Sequence, residues 1–398
     1  MNRKYILPLL LAIDISILLF EASLLSVSYS EAHTYFGYHG VIGRLSHLFT
    51  PIFGQNDIAL RLPMILLHLG SVLLLYRVSR EYLKEERERL ILVVVYMMLP
   101  GVISAALLVN MTGFVIFALF LFVYLFLKYD EGVPTYGLLG VYVLLDHTFF
   151  YLFFGLFVYA IYKRRYLFTV YTLFLMSVSL YLFGTDIGGY PTGHFLDALA
   201  VYSAIFSPIV FIYLVYVLYR RFLTKKMDII WFVSTTALLF SLLLSLRQRV
   251  HLEFYAPYLL LALPLAAQTF ASSYRVRLPR FRKGYKLLFN LALLFLGINF
   301  LLVLANRYLY LALDKPKKHF AYDNNIAKEL AANLKKLDIS CIQTDYKMQL
   351  RLRFYNIAEC QDYRLTEVPE NDTETKNVTV SYISKPVYTA YVTKVNKR

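Results

Sequence analysis

The chain has 398 residues, of which 59% are hydrophobic and 17% charged, and its mean hydropathy is +0.54. This composition excludes an ordinary soluble domain and indicates a polytopic membrane protein. The formal net charge is +15, but the cations lie in short clusters between apolar runs. That distribution is typical of membrane topology and gives no support for a nucleic-acid partner.

The apolar runs predict eleven membrane segments, because a helical span needs about 20 mostly apolar residues. The first run is too long for a cleaved signal peptide and is interpreted as an uncleaved span. Tyr136–Tyr162 exceeds one span and is interrupted by Asp146-His147, which predicts two short helices meeting at these polar residues. The other predicted spans are Tyr5–Tyr29, Ile58–Val78, Leu90–Val109, Gly113–Lys128, Tyr166–Phe183, Tyr202–Tyr219, Ile229–Leu246, Ala256–Phe270 and Leu287–Ala305.

The basic residues of the loops predict the orientation. With the N-terminus in the cytosol, 21 cations fall on the inner side, and only Arg44, Arg61, Arg247 and Arg249 fall in short outer loops. The loop Ser30–Pro63 and the polar tail then lie outside. We expect a multi-pass protein of a bacterial inner membrane with its C-terminal domain outside the cytosol.

The first outer loop holds the first acidic group that could stand just outside the membrane. Glu31 follows the first apolar run, with the aromatic neighbours His33, Tyr35 and Tyr38. Such a carboxylate suits a site that handles a polar group attached to a lipid. Further along, Tyr38–Phe49 predicts a short interfacial amphipathic helix. Arg61 is expected to anchor the second span at the interface.

The last part of the chain predicts a small α/β domain. Residues 1–306 are predicted to form the transmembrane domain and residues 307–398 the outer domain. A helix is expected over Asn324–Leu337, and strands over Ile339–Thr344, Val378–Ile383 and Val387–Val395. The only cysteines, Cys341 and Cys360, lie in this tail. They predict either a disulfide, if the tail is outside the cytosol, or two buried thiols.

Two stretches resemble a known family of membrane enzymes. PIFGQNDIALRLPMILLHLGSVLLLYRVSREYL, Pro51–Leu83, is similar to the second-span region of the GT-C integral-membrane glycosyltransferases. Within that superfamily it is most like the branch of aminoarabinose transferases and protein O-mannosyltransferases. HLEFYAPYLLLALPLAA, His251–Ala267, resembles the late family stretch in which a basic residue and Tyr precede a Pro-rich span. Leu145-Asp146-His147 lies where family members often carry a polar loop tip.

The resemblance implies a sugar donor carried on a polyprenyl phosphate and transfer at the outer face. It also implies a catalytic carboxylate in the first outer loop, where the family usually shows Asp-Glu followed by a Tyr pair. The matching residues are Ser30-Glu31 and Tyr35-Phe36, so Ser30 replaces the family Asp. The second family acid, at the outer start of the fourth span, is also absent from Asn110-Met111-Thr112-Gly113.

Sugar transfer needs a base for the acceptor proton and cations for the departing phosphate. Glu31 is the predicted base, although an acid that merely ends a helix in water is an alternative. Arg247 and Arg249 are the predicted phosphate clamp, with His251 and Tyr255 beside them, because guanidinium groups bind phosphate with paired donors. Pairing with Glu253 or with lipid headgroups would also explain these cations.

The remaining candidates carry weaker signals. Asn110 is predicted to bind a sugar hydroxyl or the acceptor, or to cap the fourth span. His33 and Tyr35 are candidate substrate-binding residues, and Asp186 and Asp197 are alternative bases. No cofactor is implied with certainty. A divalent metal is possible, but the spacing of the histidines in the first loop matches no common ligand motif.

Three functions fit this sequence. The first is a membrane glycosyltransferase whose partners are a polyprenyl-phosphate-linked sugar donor, membrane lipids and an unknown acceptor. The second is a transporter or flippase, for which internal repeats and paired broken helices are expected. The third is a catalytically degenerate relative that binds the lipid, which the two missing acids favour.

Overall fold

The computed structural model describes residues 5–37, 40–184, 193–368 and 375–394, and the described part is mainly helical. Its α-helices are α1 Ile6–Leu24, α2 Tyr29–Gly37, α3 Gly40–Ser46, α4 Thr50–Phe53, α5 Asp57–Tyr82, α6 Glu86–Met97, α7 Pro100–Leu107, α8 Met111–Tyr129, α9 Val133–Tyr142, α10 Phe150–Lys163, α11 Tyr166–Phe183, α12 Phe195–Phe206, α13 Pro208–Leu223, α14 Ile229–Ser245, α15 Ala256–Leu260, α16 Leu263–Val276, α17 Pro279–Leu304, α18 Ala327–Lys336 and α19 Tyr346–Phe354. Its strands are β1 Tyr363–Thr366, β2 Thr375–Tyr382 and β3 Lys385–Lys394.

Within the described residues, five helices are long and apolar enough to cross a membrane: α1, α5, α8, α11 and α17. Two bent pairs, α6 with α7 and α12 with α13, raise this number to seven if each pair is one span. An integral membrane protein of several helical spans is therefore supported. The predicted count of eleven stays a prediction, since the other apolar helices are shorter.

Two predicted spans are not straight. The chain bends by 64° between α6 and α7 and by 106° between α12 and α13. Pro100 and Pro208 begin the second helix of each pair, where a missing N–H costs nothing and continuation of the preceding helix is blocked. Ser207, at the second bend, has a φ of 66°. Within the described residues, the predicted interruption at Asp146-His147 is therefore accompanied by two further bends between apolar helices.

The break at Asp146-His147 is confirmed. Two short helices, α9 and α10, flank a single 3₁₀ turn over His147–Phe149. The Asp146 carboxylate accepts a hydrogen bond of 2.9 Å from the backbone N–H of Thr148. Asp146 therefore caps the turn that reverses the chain.

The chain forms two compact units. The first comprises residues 1–14, 66–106 and 111–300. Its core is formed by helix faces that are rich in Leu, Val and aromatic side chains. Some of these helices approach one another very closely. At Gly155 of α10, an added Cβ would lie 2.9 Å from the Cα of Val233 in α14. Any larger residue at Gly155 would therefore force these two helices apart.

The second unit comprises residues 15–65, 107–110 and 301–398. The tail thus clusters with the first loop, whereas the predicted division placed a boundary after residue 306. Its core packs α18 and α19 against an antiparallel sheet of strand order β1-β3-β2. Leu330 and Leu334, on one face of α18, are fully buried there.

The tail corrects several predicted elements. The expected strand Ile339–Thr344 contributes only two isolated bridges, at Cys341 and Gln343. Helix α19 and strand β1 were not predicted, while α18, β2 and β3 were, within a few residues. Cys341 and Cys360 form a disulfide, with their Cα atoms 5.4 Å apart.

The predicted interfacial helix is divided into shorter pieces. Tyr38 and His39 lie outside the described residues, and the rest of Tyr38–Phe49 contributes α3 and the turn that precedes α4.

Candidate functional site

Arg61 lies in the first part of α5 and is fully buried, so it is not the interfacial anchor that we expected. All five of its N–H groups donate hydrogen bonds. Two go to Glu31, from Nε to Oε1 at 3.2 Å and from Nη2 to Oε2 at 3.1 Å. The other three go to the backbone carbonyls of Ala22, Leu25 and Ser26, at 3.1, 2.8 and 2.9 Å.

These carbonyls mark the end of α1, where the last C=O groups of a helix have no partner within it. A cation at that position also complements the negative end of the helix dipole. An arginine in an apolar helix is costly unless it is paired and fully hydrogen-bonded. Arg61 meets both requirements here, so it fixes the direction in which the chain leaves α1.

Glu31, in the first turn of α2, is 1% exposed. Besides the two bonds from Arg61, its Oε2 accepts from the backbone N–H and the hydroxyl of Ser28, at 2.9 and 3.0 Å. Its Oε1 accepts from the backbone N–H of Val109 at 3.2 Å. The carboxylate thus ties three chain segments together, and both of its oxygens are engaged.

A chain of hydroxyls leads from this buried carboxylate to an exposed residue. The hydroxyl of Ser28, which donates to Glu31, lies 3.3 Å from the hydroxyl of Ser30. Ser30 is exposed. Hydroxyls can both donate and accept, so Ser30, Ser28 and Glu31 form a connected path for a proton.

A second buried carboxylate lies one turn before Arg61. Asp57 is 5% exposed, accepts from the Tyr355 hydroxyl at 2.6 Å, and lies 2.8 Å from the ammonium of Lys328. The Tyr355 hydroxyl also accepts from the backbone N–H of Val27 at 2.8 Å. Burial, and then the neighbouring negative charge of Asp57, hold the pKa of Tyr355 above its ordinary value, so it stays a donor.

The tail binds the segment after α1 at several further points. The guanidinium of Arg351 donates to the carbonyl of Val27 at 3.2 Å, and the backbone N–H of Ser26 donates to the carbonyl of Asn324 at 2.7 Å. The ammonium of Lys328 also reaches the carbonyl of Ser23 at 2.6 Å. The tail is therefore part of the structure that holds the Glu31 loop.

The aromatic neighbours of Glu31 differ in exposure. Tyr35 is buried, stacked on His47 with ring centroids 4.0 Å apart and edge-on to Phe354 at 5.3 Å. This packing holds α2 against α19. His33 is exposed, with its ring 5.8 Å from that of Tyr29.

The predicted phosphate clamp belongs to the first unit, whereas Glu31 belongs to the second. Arg247 and Arg249 are exposed in the loop after α14. The His251 ring lies 3.9 Å from the carboxylate of Glu253, and both side chains are exposed. Tyr255, in contrast, is 3% exposed and donates to the hydroxyl of Tyr151 at 2.7 Å. It packs in the core rather than beside the two arginines in solvent.

The remaining candidates lie at helix starts. Asn110 is half-buried and immediately precedes α8, where a cap is expected. Asp197, in the first turn of α12, has a 76% exposed side chain and lies 3.1 Å from His194 Nδ1. Asp186 lies outside the described residues.

The comparisons with known proteins bear on both fold and family. Residues 41–187 match the model of the dolichyl-phosphate-mannose-protein mannosyltransferase family. The fold is similar to the crystal structure of ArnT from Cupriavidus metallidurans in the apo state, with a TM-score of 0.53. That likeness covers 97% of each chain at 12% identity. The chain therefore shares the fold of this protein. A search of curated proteins gives no significant match.

The matched range includes Arg61 and Asn110 but begins after Glu31 and ends before Arg247. Sequence reasoning missed the role of Arg61, together with Asp57, Lys328 and Tyr355. One signal was available. An arginine inside an apolar helix needs a charged partner, and Asp57 and Glu31 are the acids of the predicted outer side that are nearest to Arg61 in the sequence.

Proposed function

We propose that this chain is a membrane glycosyltransferase that moves a sugar from a polyprenyl-phosphate donor to a lipid, glycan or protein acceptor at the outer face. The observation that carries the proposal is Glu31, a carboxylate just after the first span that is held by buried hydrogen bonds and is connected through Ser28 to the exposed Ser30. The name of the matching family, which contains a lipid-phosphate sugar donor, supports the donor class.

In the proposed reaction, an acceptor oxygen attacks the anomeric carbon of the donor sugar. The bond from this carbon to the phosphate oxygen breaks, and polyprenyl phosphate leaves with the electron pair. The acceptor proton passes to a base. Glu31 remains our first candidate for that base, and Ser30 and Ser28 supply a path for the proton from the exposed edge of α2. The Ser28 hydroxyl can rotate, which would free a lone pair on Oε2.

Other residues take binding roles in this proposal. Arg247 and Arg249 would neutralise the departing phosphate, because paired guanidinium donors match phosphate oxygens. His251 adds an exposed imidazole to the same loop. Asn110 and His33 would contact the sugar or the acceptor, while Tyr35 and Tyr255 would shape the site through the packing described above.

Asp197 is the second candidate base. Its carboxylate is exposed, and the neighbouring His194 can orient it. Asp186, in the same predicted outer loop, is the third.

The test is transfer or hydrolysis of purified polyprenyl-phosphate sugars by the reconstituted protein. We expect turnover by the wild type and a loss of at least about 100-fold in Ser30→Ala with Ser28→Ala. Loss of the Ser28 hydroxyl also removes a hydrogen bond to Glu31, so the melting temperature of each variant is measured in parallel. Asp197→Asn tests the second candidate base in the same assay. If the serine variant turns over the donor as fast as the wild type does, and Asp197→Asn loses activity, the base is Asp197 rather than Glu31.

One observation favours a second function. The hydrogen bonds that Glu31 accepts all come from within the fold, and Ser30 stands where the resembling family has Asp, which suits a catalytically degenerate relative that still binds the lipid. Saturable binding of polyprenyl phosphate with no turnover of any donor would favour this function. Substituting Ser30→Asp is the direct test, because it restores the family acid at an exposed position. Activity gained by that variant would identify the missing acid as the cause.

A further inference from the structure

A basic cavity of about 380 Å³ lies in the first unit, where the C-terminal ends of α5, α13 and α16 converge with the start of α6. Its volume falls within the range of about 300–1,000 Å³ that is typical of small-molecule sites. The three loops that contribute to it are all among those predicted to be cytosolic. The cavity therefore shares no residue with the proposed transfer site, and the two are predicted to lie on opposite sides of the membrane.

The lining is strongly cationic. Lys84, Arg220, Arg221, Lys226 and Arg275 contribute five positive charges, against one acid, Glu88. The hydroxyl groups of Thr224, Thr269, Ser272 and Tyr82 and the amide of Gln268 complete the polar wall, and each hydroxyl donates within the fold. Clustered guanidinium and ammonium groups are the donors that recognise a phosphate group.

Some of these cations have local partners. Arg275 lies 2.5 Å from Glu88 and 3.4 Å from Glu85, and Arg220 donates to the hydroxyl of Ser273 at 2.8 Å. Cations at the C-terminal ends of helices are also favoured by the helix dipole. These contacts are sufficient to explain a cluster of cations at this surface without a bound ligand.

Arg221 requires more than that explanation. It is 9% exposed, and its guanidinium donates to Gln268 and to the carbonyl of Lys226, while the nearest carboxylate, Asp228, is 4.0 Å away. Asp228 is itself engaged by the Tyr82 hydroxyl at 2.9 Å and by the backbone N–H of Trp231 at 3.0 Å. Within the described residues, the Nε–H of Arg221 is buried and has no hydrogen-bond partner.

A buried guanidinium with an unused donor and only a distant acid lacks full compensation for leaving water. An anion in the cavity would supply the missing negative charge. We propose that this cavity binds a phosphate-bearing group, supplied either by the headgroup of a lipid in the inner leaflet or by a soluble phosphate. The site does not depend on sugar transfer, and its test uses binding alone.

The experiment compares two double variants of the full-length protein with equal changes of charge. Lys84→Gln with Lys226→Gln removes two cations that line the cavity, and Lys225→Gln with Arg87→Gln removes two from the same loops that do not line it. The probes are dioleoyl phosphatidic acid, measured as lipid retained in native mass spectrometry, and inorganic phosphate, measured as a rise in melting temperature.

We expect phosphatidic acid to bind the cavity variant about 25-fold more weakly than the wild type, since each of the two cations near the headgroup contributes about a factor of five. The control variant should stay within about twofold. Retention of the lipid without stabilisation by inorganic phosphate would identify the headgroup as the source, and the reverse result a soluble phosphate. Equal losses in the two double variants, or no binding of either probe, would overturn the proposal.

Arg221→Gln tests the deepest group in the same assays. Weaker phosphate binding at an unchanged melting temperature of the free protein supports the proposal. Undiminished binding would contradict it.

Discussion

Replacing Arg61 by methionine tests whether the buried pair with Glu31 holds the first loop. Met is close in length and apolar, but it leaves the Glu31 carboxylate with three donors and no counter-charge, and it leaves three carbonyls at the end of α1 without Arg61. Removing one partner of a buried pair costs about 3–5 kcal/mol. At about 2–4 °C per kcal/mol, the melting temperature should fall by about 6–20 °C.

The second single variant of the double-mutant cycle, Glu31→Gln, removes the charge of the other partner. Glu31→Gln alone leaves Arg61 buried with a neutral amide in place of a carboxylate, so we expect a loss of similar size. The double variant buries no unpaired charge. It should therefore be at least about 2 kcal/mol more stable than the sum of the single losses predicts.

The coupling is measured by thermal unfolding of the wild type, the two single variants and the double variant in the same detergent. Unfolding is followed by the fluorescence of an added dye. Glu253→Gln, an exposed carboxylate in the other unit, should change the melting temperature by less than about 2 °C and serves as the control. Additive losses, with a coupling below about 0.5 kcal/mol, would refute the argument that the pair acts as one structural element.

Three further expectations concern the tail. Tyr355→Phe leaves the N–H of Val27 without its acceptor and should destabilise the protein by about 1–3 kcal/mol in thermal unfolding, whereas the exposed Tyr346→Phe should not. Replacing both Cys341 and Cys360 by serine opens a loop of sequence separation 19 and should cost about 3 kcal/mol, and reductant should then have no further effect. Burial lowers the pKa of His319 below its ordinary 6.5, so the unfolded chain takes up the proton first as the pH falls. Stability should therefore be complete above about pH 7 and decline below it, and His319→Gln should flatten this part of the unfolding profile.

The sequence predicted the helical membrane fold because long apolar runs carry that information locally. The break at Asp146-His147 was predictable since two polar residues interrupt a run that is too long for one span. The bends before Pro100 and Pro208 carried an equally local signal, a proline inside an apolar run, but the length of each run suggested a straight helix. Helix α19 was missed because polar and apolar residues alternate in YKMQLRLRF, a pattern that is typical of a strand and gives no apolar stripe on a helix.

The site was less predictable because its contacts join residues distant in the chain. Arg61 is 30 residues from Glu31, and Tyr355 is 298 from Asp57. A single sequence shows that an arginine in a span needs a partner, but it does not show which acid provides it. The exposure of individual side chains was not predictable either, because Tyr255 is close to two exposed arginines in the sequence but is buried in the core.

The network assigns different tasks to neighbouring residues. Glu31 accepts five hydrogen bonds within the fold, so a substitution there changes stability and any chemistry together. Ser30 is exposed and touches this network only through the hydroxyl of Ser28. Position 30 can therefore be changed without loss of these hydrogen bonds, whereas position 31 cannot. Substitutions at the two positions should for this reason separate an effect on chemistry from an effect on the loop that Glu31 holds in place.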